Sequence, residues 1–215
     1  MLGAAMLARP HVVLLFPLIA AIAITKNSQR QAIMRWVILC LVPIAVATIA
    51  LLAYNWARFE NPFDFGYQTQ NVYPEMLQDL QTFGQFNLQY VPRNFWAMFL
   101  ALPQWHAETS TLVPLNAGMT LFLTTPPLFF LLRARDKTPL AIGAWASVVL
   151  VLIPLLTYYN TGAAQFGYRF SLDFMVPVLI LLALAAKNRI SWLMRVLILI
   201  GILVNAWGVA WFWGA

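Results

Sequence analysis

Two short segments carry the residue types that could do chemistry. Residues 54–67 read YNWARFENPFDFGY and residues 165–170 read QFGYRF, and each sets one arginine among tyrosine, phenylalanine and glycine. A guanidinium keeps its charge in a low-dielectric setting and forks onto two phosphate oxygens, which makes Arg58 and Arg169 candidates for a lipid-phosphate clamp. The alternative is that both arginines only anchor helix ends by reaching into the headgroup layer. Gly66 and Gly167 each precede a tyrosine. That pairing lets backbone approach a ligand while the ring of Tyr67 or Tyr168 stacks on a sugar or headgroup, although glycine is also a plain turn former. Glu60 and Asp64 flank Pro62 and offer a general base if partly buried, or solvated loop charge if not. His106 could donate to a phosphate or bind a metal, but a histidine without a second ligand cluster does not make a metal site. Asp173 stands four residues after Arg169, where the two can neutralise each other.

The elements that must position these residues are membrane helices. With 62% hydrophobic and 9% charged residues and a mean hydropathy of +0.75, the chain is too apolar for a soluble domain. A spanning helix needs about 20 mostly apolar residues, because lipid leaves no partner for an unpaired backbone group. Such runs lie at residues 10–25, 36–54, 111–132, 139–158, 171–186 and 196–213. None alternates apolar and polar residues as a membrane barrel strand does. Lys26, Arg30 and Arg35, then Arg133, Arg135 and Lys137, then Lys187, Arg189 and Arg195 fall in three short loops on one side of these spans. The positive-inside rule makes that side cytoplasmic and puts Arg9, Arg58, Arg93 and Arg169 outside. Cys40 is the sole cysteine and lies in an apolar run, so neither a disulfide nor a zinc site is expected. Residues 10–25 resemble a signal peptide, but the basic loop after them argues for a retained span.

The long connection at residues 55–110 has a pattern of its own. Pro74 opens a helix, Met76, Leu77, Leu80 and Phe83 recur at helical spacing, and Gly84 stops it. Residues 94–102 (NFWAMFLAL) are apolar but about half a span long, which predicts an interfacial or re-entrant segment. The expected fold is therefore all-α: a polytopic membrane helical bundle of about six spans, with one long outer loop carrying short interfacial helices. The expected segments are 1–54, two transmembrane helices; 55–110, the outer loop; and 111–215, a four-helix transmembrane bundle. There is no Walker loop, Rossmann glycine pattern, paired-cysteine site or GxSxG elbow, and no cofactor is expected.

Taken together, LARP (residues 7–10), YNWARFENPFDFGY and QFGYRFSLDFMVP (residues 165–177) resemble the C-terminal half of bacterial membrane glycosyltransferases of the C superfamily. These are polyprenyl-phosphate-sugar-dependent enzymes related to protein mannosyltransferases. The resemblance implies transfer of a sugar from a lipid phosphate to an acceptor hydroxyl at the outer face of the bacterial inner membrane. It assigns Arg58 and Arg169 to the departing lipid phosphate; Tyr67, Tyr168, Glu60, Asp64 and His106, chosen above on residue type and position alone, are the candidate substrate contacts. In the family the catalytic carboxylate stands in the first outer loop. Here the loop after the first run reads KNSQRQ, without a carboxylate. The expectation is thus a fragment that lacks the principal base, is inactive alone, and has membrane lipid and a separate N-terminal half as partners. A small transporter or flippase-like carrier of an anionic lipid or solute is the alternative, and it predicts polar residues at mid-span such as Thr48, Thr124, Thr157 and Asn205. A non-catalytic scaffold is a third possibility.

Overall fold

The structure, a computed structural model, describes residues 2–26, 29–66, 74–108, 110–162, 164–187 and 189–214. The chain is a helical membrane protein. Among the described residues four helices are long and apolar enough to cross a bilayer: Arg30–Phe59, Pro139–Thr157, Arg169–Ala186 and Trp192–Gly214. The helices are named α1 (Leu2–Ala8), α2 (Phe16–Lys26), α3 (Arg30–Phe59), α4 (Pro74–Phe83), α5 (Val91–Phe99), α6 (Leu121–Thr124), α7 (Pro139–Thr157), α8 (Leu172–Ala186) and α9 (Trp192–Gly214); strands β1 (Gln104–His106) and β2 (Thr111–Val113) form one antiparallel hairpin.

Among the described residues four helices reach the length and hydropathy of a span, where six are expected, and the two remaining runs differ locally. The run at 10–25 is a 3-10 helix, Pro10–Leu15, continued by α2, and together they form a shorter apolar helix, Pro10–Lys26. The run at 111–132 is not one helix. It divides into β2, a turn through Gly118 at φ +87°, α6, and a 3-10 helix at Pro126–Arg133. The Pro126–Pro127 pair removes two consecutive N–H donors, so α6 cannot propagate. The break is repaired from α9, where Asn205 Nδ2 donates to the Thr124 carbonyl at 2.8 Å and to Gly201 O at 2.7 Å. An unpaired carbonyl in a spanning segment costs several kcal/mol, so an asparagine in α9 is well placed here.

The chain forms two compact units: residues 1–86 with 137–154, and residues 87–136 with 155–215. In the first unit α1 packs on α3 through Met6, Ile44 and Ala47, with Leu2, Val13 and Phe16 around them. Ser147 of α7 is fully buried and closes the joint between the 3-10 helix and α2, accepting from Leu18 N–H at 3.0 Å and donating to Leu15 O at 3.4 Å. The α3 helix is 30 residues long, about 45 Å at 1.5 Å per residue, against about 30 Å of hydrocarbon. It runs past residue 54, where the outer loop is expected to begin, and carries the YNWARF sequence as its last turns. Asn61 precedes Pro62 and is biased away from helical backbone, while Glu60 at φ 57° turns the chain out. The helix expected after Pro74 is α4, and Gly84 at φ +77° follows its end, its N–H donating to Leu80 O.

In the second unit the short α5 caps the C-terminal end of α7. The last carbonyls of a helix have no intrahelical donor. Here Asn87 N–H donates to Thr157 O at 2.8 Å, Asn94 Nδ2 donates to Leu156 O and Tyr158 O at 2.9 and 2.7 Å, and Arg93 donates to Tyr159 O. The nine-residue α5 is far too short to span.

Candidate functional site

Arg58 stands in the last turn of α3. Its Nη1 donates to the Tyr54 hydroxyl one turn back at 3.2 Å, and the guanidinium lies over the Phe59 ring at 5.1 Å. The turn that follows is closed by local bonds. The buried Asn55 donates to Pro62 O at 3.1 Å, Asn61 Oδ1 accepts from Phe63 N–H, and Asp64 Oδ1 accepts from Gly66 N–H at 2.7 Å. Gly66 adopts φ +75°, and a Cβ there would meet the Phe59 ring at 2.7 Å, so this glycine serves the fold-back onto α3. Glu60 is exposed and caps α3, whereas Asp64 is half-buried. Tyr67 lies outside the described residues.

Between this turn and α4 lies an open groove of about 470 Å³ lined by Asn61, Phe63, Asp64, Phe65, Leu77, Leu80, Gln81, Gly84 and Gln85. Among the described residues, neither Glu60 nor any basic side chain lines it. The contribution of Gln81 and Gln85 was missed in the sequence. Its signal is the 3–4-residue spacing of Leu77, Gln81 and Gln85 along one face of α4 and just beyond it.

Arg169 stands in the second unit, in the 3-10 turn Arg169–Ser171 that leads into α8. Its placement is set from inside. Gln165 is only 6% exposed; its Nε2 donates to Ala117 O at 2.6 Å and Thr161 O at 2.9 Å, and its Oε1 accepts from Arg169 N–H at 3.3 Å. Met119 N–H donates to Phe166 O at 3.0 Å, and Asn116 Oδ1 accepts from Ala164 N–H at 2.7 Å. These bonds fix the turn while the Arg169 side chain remains exposed, its guanidinium 5.4 Å from the Phe170 ring centroid. Phe170 packs edge-on against Tyr158, which in turn contacts Tyr159. Arg93 donates to the Tyr159 carbonyl, so a second exposed arginine belongs to the same aromatic corner.

Tyr168 does not present an exposed stacking surface. It is 1% exposed, and its ring packs against Phe170 at 5.7 Å. Burial, with the Asp173 carboxylate as the lesser cause, pushes its hydroxyl above the usual phenol range. Gly167 is likewise occupied by the fold: it bridges Met119, and the Thr124 methyl would stand 3.0 Å from an added Cβ. His106 is exposed at the end of β1, opposite Thr111. Among the described residues no group of three or more His, Cys, Asp or Glu side chains could hold a metal. Arg58 belongs to the first unit and Arg169 to the second.

Comparison with known proteins finds no family model, no curated protein and no solved structure that matches the chain.

Proposed function

We propose that this chain is the lipid-phosphate-binding and acceptor-side part of a polyprenyl-phosphate-dependent glycosyltransferase in the bacterial cytoplasmic membrane, with its long connection on the outer side. The observation that carries this reading is Arg169. It is an exposed guanidinium at the N-terminal end of a span, its backbone held by the buried Gln165 and its side chain resting on Phe170. A cation at that position meets the phosphate of a lipid whose chain lies along the span, and Arg93 adds a second cation to the same aromatic corner.

In the proposed transfer the bond between the anomeric carbon and the phosphate oxygen breaks. The acceptor oxygen bonds to that carbon, and its proton passes to a carboxylate. Arg169 stabilises the negative charge left on the lipid phosphate, as a cation beside a departing anion does. The basic 26–31 segment has no carboxylate, so on this reading the base does not come from that loop. The carrier alternative draws on mid-span polar groups, but the Asn205 amide is engaged by Thr124 O and Gly201 O, and Thr48 Oγ1 donates to Ile44 O.

Photo-crosslinking tests the proposal. A diazirine-bearing polyprenyl phosphate in membranes holding the chain should label residues 165–177, and excess polyprenyl phosphate, but not polyprenol, should suppress the label. Labelling spread over the spanning helices without phosphate competition would overturn it.

A further inference from the structure

The groove beside the α3 end has a lining whose chemistry selects its ligand. Its volume of about 470 Å³ lies within the range of small-molecule sites, about 300–1,000 Å³. Three side-chain amides, Asn61, Gln81 and Gln85, line it together with the Asp64 carboxylate and the Phe63 and Phe65 rings. Each amide carries both donors and acceptors, and the carboxylate accepts only. The Gln81 and Gln85 side chains have no hydrogen-bond partner among the described residues. Phe63 is 74% exposed.

Three ligand classes fit this lining poorly. A phosphate would meet the Asp64 charge with no lysine or arginine among the described lining residues. Asn61 Oδ1 and Asp64 Oδ1 already accept from Phe63 and Gly66 N–H, and an acyl or isoprenoid chain would desolvate the Gln81 and Gln85 amides, Asn61 Nδ2 and Asp64 Oδ2 without pairing them. A quaternary ammonium suits the rings and the carboxylate, but it offers the amides neither donor nor acceptor. Sugar hydroxyls donate and accept together, and the C–H face of a sugar ring packs on an aromatic ring.

We infer that the groove between the 61–65 turn and α4 binds a neutral, polyhydroxylated ring, with Asn61, Asp64, Gln81 and Gln85 pairing its hydroxyls and Phe63 stacking on its apolar face. For its use, as the seat of the acceptor glycan, this inference rests on the glycosyl-transfer reading; for its ligand class it rests on the lining alone.

Saturation-transfer difference NMR on the full chain in lipid nanodiscs tests it. The probes are an equimolar mixture of the methyl glycosides of glucose, galactose, mannose and arabinose, with choline and inorganic phosphate, followed by ³¹P line width, as comparators. At least one glycoside should receive saturation, and Phe63→Ala and Gln81→Leu should each cut that signal fivefold or more. Both residues are exposed, so the variants should retain the native far-UV circular dichroism. No glycoside signal on the native chain, a signal indifferent to both variants, or choline or phosphate binding in place of the sugars would overturn the inference. Lipid-phosphate labelling at 165–177 without a glycoside signal removes the groove inference alone. A variant-sensitive glycoside signal without that labelling removes the lipid-carrier reading and leaves a neutral-sugar site.

Discussion

The two arginine-bearing segments look alike as strings of residues and are held in opposite ways. Around Arg58 the hydrogen bonds run between near neighbours: Tyr54 one turn back, Asn55 to Pro62, Asp64 to Gly66. Around Arg169 the contacts reach across the sequence, from Gln165 to Ala117, Ala164 to Asn116, and Phe166 to Met119. A turn closed by its neighbours can adjust to a ligand. A turn tied by distant bonds holds the Arg169 backbone in one geometry.

The contrast breaks most visibly at the two polar staples. Gln165→Leu leaves Ala117 O, Thr161 O and Arg169 N–H without their partner in a buried setting, and at about 1–3 kcal/mol each the loss should be 3 kcal/mol or more. Asn55→Leu removes one bond, to Pro62 O, and should cost about 1 kcal/mol. Equilibrium unfolding in mixed micelles measures both, and equal losses would erase the distinction.

The glycines sharpen it further. Gly118 sits at φ +87° with Gly167 backbone 3.0 Å from an added Cβ, whereas Gly66 at φ +75° would meet only the Phe59 side chain. Both alanine variants bear the left-handed penalty of about 1–2 kcal/mol. Only Gly118→Ala must also move backbone, so its melting temperature should fall further than that of Gly66→Ala.

A smaller effect is expected at Tyr168, whose buried hydroxyl has no hydrogen-bond partner among the described residues. Tyr168→Phe should be neutral or stabilising by up to about 1 kcal/mol, because it removes an unpaired polar group. The pH dependence has a definite sign. The folded-state proton affinity of Tyr168 is raised, so its contribution is full below the unfolded phenol value of about 10 and is lost as pH rises from there toward the folded value. The alkaline limb of a stability–pH curve should therefore be shallower in Tyr168→Phe, and an unchanged limb would contradict the assignment.

Much of the helical content was legible in the sequence because apolar run length alone decides whether a segment can span. The runs that became α7, α8 and α9 needed nothing else. The 111–132 run was misleading because its hydropathy is high throughout, and the break at Pro126–Pro127 is tolerated only through Asn205, some 80 residues away. The α4 helix was legible from Pro74, its apolar spacing and Gly84, but the groove it forms with residues 61–65 was not, since no periodicity reports which two elements face each other. Tyr168 shows the same limit. Its Gly-Tyr context suggested an open stacking ring, while its burial depends on Phe170 and on the packing of a whole unit.

The account stands most directly on the affinity of the chain for polyprenyl phosphate relative to polyprenol, titrated in nanodiscs for the native chain, Arg58→Ala and Arg169→Ala. Loss of a charge-assisted contact should weaken polyprenyl phosphate binding by roughly tenfold to a hundredfold in Arg169→Ala while leaving polyprenol unchanged, with a lesser effect in Arg58→Ala. Equal phosphate preference in the native chain and Arg169→Ala would mean that Arg169 only anchors its helix end, and the lipid-phosphate site would have to be sought elsewhere.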